Sequence, residues 1–149
     1  MLDLVLAILH HLLILSLAGL MMAGFVLVRP GVSGAGLKTL GGIDASYGGT
    51  AVLILAVGFG RVFLGAKGAD FYLHNPLFWA KIAAFAAVGL LSIAPTIAIL
   101  KWRRQAKTDP AFVPPAAEVA KVRKVMLAEL AVFALIPIFA AAMARGYGL

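Results

Sequence analysis

The sequence predicts an all-α integral membrane protein, a four-helix bundle with both termini on the extracytoplasmic side. Three observations predict it. Hydrophobic residues make up 63% of the chain and charged residues 13%, whereas a soluble domain carries roughly 45–50% and about 25%. Four stretches reach the ~20 mostly apolar residues that a helix needs to cross a bilayer. The basic residues collect in two connecting segments instead of covering one face. With a mean hydropathy of +1.04, a chain of 149 residues has no interior large enough to hide its apolar excess, so that surface faces lipid.

The first span, Leu4–Val28, opens as "MLDLV", with Asp3 and no early Lys or Arg. It is also longer than the apolar core of a signal peptide, so it is expected to be retained. Arg29-Pro30 ends it, because proline lacks a donor and restricts its predecessor. "PGVSGAGLKTLGG" reads as a glycine-rich loop. The second span covers Tyr47–Gly65, and "GAKGADFYLHN" reads as the loop after it. Asn75 and Pro76 suit the N-cap and first position of the third span, Pro76–Trp102. "KTDPAFVPP" is a turn-rich connector. "AAEVAKVRKVM" then leads into the fourth span, Val122–Met143, with Glu118 and Lys121 spaced to pair at i,i+3. Pro95 and Pro137 are expected to kink their helices. All 149 residues form one transmembrane domain in this reading.

Loops 30–46 and 103–121 hold Lys38, Arg103, Arg104, Lys107 and Lys121, with Arg29, Lys101, Arg123 and Lys124 at their borders. The opposite side has Lys67 and Arg145. The positive-inside rule makes the two basic loops cytoplasmic, as in a multi-pass protein of a bacterial inner membrane. The net charge of +7 then reflects topology, and nucleic acid is not an expected partner. The expected partners are the lipid bilayer and a second copy or a membrane redox protein. The stripe Ala80, Ala83, Ala84, Ala87 offers a close-packing face. The absence of cysteine excludes disulfides, thiolate metal sites, iron–sulfur clusters and a cysteine nucleophile.

Five ionisable residues fall inside the spans: His10, His11, Arg61, Lys81 and Glu129. Each is costly there, which makes it informative. At about 1.5 Å per residue, the histidines lie roughly 10 Å from the outer end of the first helix, and Arg61 and Lys81 about 6–7 Å from theirs. His74 stands just above this layer. Arg61 and Lys81 are long enough to snorkel to the interface; an imidazole at that depth needs a partner, a metal or water. Adjacent helical residues point about 100° apart, so His10 and His11 cannot serve one metal together. His11 shares a stripe with Ala7 and Ala18, small residues that admit a neighbouring helix. His10 shares one with Leu6, Leu13, Leu17 and Met21. This favours His11 as the bundle-facing ring. Gly58 and Gly60 remove bulk beside Arg61. Glu129 lies toward the cytoplasmic half and is expected to meet a hydroxyl or a basic neighbour. Asn75 and Trp79 complete the set of buried polar candidates.

No phosphate-binding glycine loop, HExxH motif or serine with a base is present, and the few acidic residues are scattered. The catalytic residue is therefore unassigned, and a membrane oxidoreductase is one option among others. Haem b suits an apolar bundle with few histidines, since its iron takes imidazole and its propionates take cations. His11 or His10 is the expected axial ligand, His74 the second, and Arg61, Lys81 and Lys67 the propionate partners. Copper is the alternative, with Met21 and Met22 as soft ligands. Two further readings are a non-catalytic membrane subunit or assembly factor, in which His10, His11, Arg61 and Lys81 form a polar network that fixes helix register, and, last, a small transporter with Glu129 as its proton site.

"ILHHLLIL", "GRVFLGAKG" and "YLHNPLFWAK…GLLSIAPTI" together resemble a family of bacterial predicted membrane proteins of unknown function and similar length. The resemblance covers nearly the whole chain, and the "LHNPxFWAK" string is its most specific part. More distantly, the layout resembles the copper-resistance-D-like superfamily, which includes the membrane-integral protoporphyrinogen oxidases of haem synthesis. Those enzymes carry a histidine in the first helix, an arginine, and a lysine following a tryptophan, and are associated with b-type haem. Here His10 or His11, Arg61 and Trp79-x-Lys81 match those positions, while the histidine is doubled and the fuller oxidase signatures are missing. The resemblance implies a haem or redox site in the outer half of the bundle, and no particular activity.

Overall fold

The computed structural model describes residues 1–66 and 68–148. Five helices follow one another: α1 (Leu2–Leu27), α2 (Gly34–Leu64), the short α3 (Gly68–Leu73), α4 (Pro76–Thr108) and α5 (Ala116–Ala144). The described residues contain no strand. The four long helices are each apolar and long enough to cross a membrane. They form two hairpins, α1 with α2 and α4 with α5, joined mainly by α2 against α4. Large apolar side chains such as Leu15, Leu90 and Ile97 point outward, as a lipid solvent permits.

Three packed layers fill the interior. At the basic end Leu37, Leu40, Ile99, Trp102 and Val119 pack together, all nearly fully buried. The middle layer centres on Leu17, Met21, Ile54, Val88 and Ile136. At the end carrying both termini the layer thins to Val62, Phe78 and Met143.

The glycine-rich stretch expected as a loop is helical from Gly34 onward. Glycine inside a helix costs about 0.5–1 kcal/mol against alanine, but here Leu37 and Leu40 bury completely in the first layer and offset that penalty. Gly41 also has a packing reason: the Arg103 side chain lies across its backbone, where a Cβ would collide. The loop expected before the third span contains α3. Asn75 does cap α4, its Oδ1 accepting from the Leu77 amide at 2.9 Å, with Pro76 in the first turn. Pro95 and Pro137 sit inside continuous helices, so the Leu91 and Phe133 carbonyls lose their usual donors.

Two contacts lock the basic end. Arg123 of α5 donates from Nη1 to the Phe25 carbonyl at 2.9 Å and to the Val28 carbonyl. Its guanidinium also lies 4.2 Å from the Phe25 ring centroid. The last turn of α1 has no basic residue of its own, so a side chain from another helix satisfies its open carbonyls. Glu118 does not turn to Lys121 as its spacing suggested. It accepts from the Trp102 indole at 2.9 Å and pairs with Lys101 at 3.2 Å, because this joins α5 to the fully buried Trp102 of α4. Glu118→Ala, which leaves a buried indole N–H without a partner, should lower the thermal midpoint and alter Trp102 emission. Glu118→Gln, which keeps an acceptor, should do both to a smaller extent. Lys101→Ala should be nearly silent, as exposed ion pairs contribute little; equal losses in all three variants would contradict this assignment.

Candidate functional site

A cavity of about 450 Å³ opens among the helices at the end that carries both termini. Its walls are apolar, with Ile54, Phe59, Phe85, Phe133 and Ile136 among them. Its basic lining residues are His10, His11, Arg61 and Lys81. The described lining has no carboxylate. Three helices thus bring basic groups to one space, as their similar depths suggested.

His10 is held by the absence of a side chain opposite it. A Cβ on Gly58 would stand 3.2 Å from the His10 Cε1, so glycine there makes room for the ring. Gly60 has no such duty, since a Cβ on it would meet nothing nearer than 3.9 Å. The His10 Nδ1 is buried and has no hydrogen-bond partner. The Arg61 Nε is in the same condition. The Lys81 ammonium sits 5.2 Å from the Phe78 ring centroid, a cation–π contact in place of an ion pair. Two buried polar atoms without partners are costly, and both belong to residues that line the same cavity.

The expectation that His11 faces the bundle is reversed. His11 is exposed at the cavity margin, and its Nδ1–H donates to the Ala7 carbonyl at 2.6 Å. The His10 stripe is the buried one, with Leu17 at 0% and Met21 at 6% exposure. Close packing of large side chains decided the rotation of α1, not its alanines. The two rings stand nearly perpendicular, 6.5 Å between centroids, and do not bracket one point.

His74 is not in the cavity. Its side chain is 77% exposed, with Nδ1 3.1 Å from the Asp70 carboxylate one helical turn back, so the expected second axial position is not filled from there. Lys67 lies outside the described residues. Trp79 is exposed, and its indole donates to the Leu73 carbonyl at 2.9 Å. Asn75 is fully buried. Met22 is exposed and Met21 lines a different space, so the soft ligands proposed for copper do not join the histidines. Among the described residues no group of three or more His, Asp or Glu could hold a metal ion.

That different space is a second polar site, which the sequence only half revealed. Glu129, 5% exposed, accepts from the Tyr47 hydroxyl at 2.6 Å, the hydroxyl partner expected for it. Asp44 accepts from the Thr96 hydroxyl at 2.8 Å. Asp44, Tyr47, Ser92 and Glu129 surround a void of about 30 Å³, enough for one water. Asp44 escaped notice because residues 30–46 read as a loop, and Tyr47 and Thr96 because they carry no charge that marks them out within their spans. The usable signal was "DASY", an acid and a phenol one turn apart.

A family model described as a predicted membrane protein, DUF2214, matches residues 2–148. The chain belongs to the DUF2214 family. No curated protein and no solved structure matches it. The four apolar helices of this DUF2214 protein accord with the family's description.

The two sites of the DUF2214 chain differ in one respect: the inner carboxylate is partnered, the outer imidazole is not. Tyr47→Phe should therefore destabilise the protein by about 1–3 kcal/mol, since it strands a buried acceptor. Tyr47→Phe combined with Glu129→Leu should cost less than the sum of the single changes, measured by unfolding in mixed micelles. Additive losses would show that the pair is not coupled.

Proposed function

We propose that this membrane protein binds b-type haem, or another flat redox cofactor carrying carboxylates, in the outer cavity. The observation that carries the reading is the His10 ring, whose buried Nδ1 has no partner, on the wall of an apolar cavity whose charged groups are all cations. Imidazole is a common axial ligand of haem iron. The cavity volume lies within the roughly 300–1,000 Å³ typical of small-molecule sites. Arg61 and Lys81 suit carboxylates, which form strong charge-assisted hydrogen bonds with such groups. His10 replaces His11 as the favoured ligand, and His10 and His11 leave one helix in different directions, so a single protein ligand is proposed. Bound haem would supply one-electron chemistry. The chain's own residues supply the nitrogen, the counter-charges and a wall that excludes water. The oxidase resemblance supports a haem site and is not extended to a reaction. By the positive-inside rule the cavity lies near the outer face of a bacterial inner membrane, with the Arg103–Lys107 end in the cytoplasm.

One alternative has its own support. A subunit with a register-fixing polar network finds support in Tyr47–Glu129 and Asp44–Thr96, which tie α2 to α5 and α4, in place of the His10, His11, Arg61 and Lys81 set expected for that role. The two readings separate in one experiment. Protein purified from haem-replete cells should show a Soret band. His10→Ala should remove most of it, while His11→Ala and His74→Ala should leave it largely intact. Colourless protein, or a band indifferent to His10, would overturn the haem reading and favour the structural one.

A further inference from the structure

The "LHNPLFWAK" segment contributes more bonds at the cavity's outer end than the binding proposal uses. Phe71 and Tyr72 of α3 line the cavity. Tyr72 packs on Phe78 with centroids 5.8 Å apart. The helix begins at Gly68, whose φ of +73° places a backbone bend that other residues rarely adopt. It ends at Leu73, two residues before Asn75, which lies in extended backbone. A short helix thus spans the cavity's outer end between two bends.

Asn75 fixes this arrangement with both ends of its amide. Its Oδ1 caps α4, and its Nδ2 donates to the Tyr147 carbonyl of the C-terminal tail at 3.1 Å. The tail comes so close that a Cβ on Gly148, itself at φ +85°, would stand 2.8 Å from the Asn75 Oδ1. The Trp79 indole ties the last carbonyl of α3 to α4.

We infer that α3 is a lid over the outer end of the cavity and that the Asn75–Tyr147 hydrogen bond is its latch to the C-terminal tail. The latch joins the α3–α4 junction to the end of α5, which supplies Met143 and Ala144 to the cavity wall. Releasing it frees the lid and exposes the space that His10, Arg61 and Lys81 share. The inference holds whatever occupies the cavity, so it stands or falls apart from the haem reading.

The chain has no cysteine, which makes thiol labelling a clean probe. Ala140→Cys places a reporter in the cavity wall, and Lys107→Cys places a control at the far, basic end. A sulfonate-bearing methanethiosulfonate is the reagent, in detergent micelles. Two full-length latch variants are compared with the unmodified latch. Asn75→Asp keeps an acceptor for the α4 cap but has no N–H for Tyr147. Gly148→Ala pushes the tail off Asn75 from the other side. Both should speed labelling at position 140 by roughly two- to tenfold, the equilibrium change expected from one lost hydrogen bond, and leave position 107 unchanged. If either variant leaves the cavity rate unaltered, or speeds the control equally, the latch is refuted.

Discussion

A polar atom buried among apolar helices must find a partner inside the protein, and this constraint governs the whole structure. Lipid offers no hydrogen bonds, so helices satisfy their own backbone and side chains satisfy the remainder. The protein obeys nearly everywhere. Arg123 closes the end of α1, Glu118 receives the Trp102 indole, and Tyr47 and Thr96 meet the two inner carboxylates. Against that background the buried His10 Nδ1 and Arg61 Nε are departures. Both belong to residues that line one cavity, and that is why the cavity commands functional interest.

Glycine has two separate uses here. At Gly41 and Gly58 it clears space for a long or planar side chain from a neighbouring helix, Arg103 in one case and His10 in the other. At Gly68 and Gly148 it supplies backbone angles that bend the chain around the cavity's outer end. The first use sets what the interior contains; the second sets how it is covered.

Much of the architecture was legible because bilayer thickness imposes a length on every span, and that length is easily read. The four long helices and the Asn75-Pro76 start of α4 came from that signal and from local capping chemistry. Rotation about a helix axis was harder. The alanines beside His11 suggested the wrong face, because Leu17 and Met21 pack more tightly than small residues alone require. Residues 34–46 were misread because several glycines outweighed two leucines whose burial depends on distant Trp102 and Ile99. That error hid Asp44 as a membrane-interior residue. His74 looked central by sequence proximity, yet its nearest acid, Asp70, holds it on the outside.

The Arg123 bond has a consequence for biogenesis. α1 leaves the ribosome before α5, yet its end carries carbonyls that a residue of α5 satisfies. Until that segment enters the bilayer, the end of α1 must rely on water or headgroups at the interface. Insertion of α5 therefore finishes α1, and a chain halted before it would leave the membrane with an open seam at its basic rim.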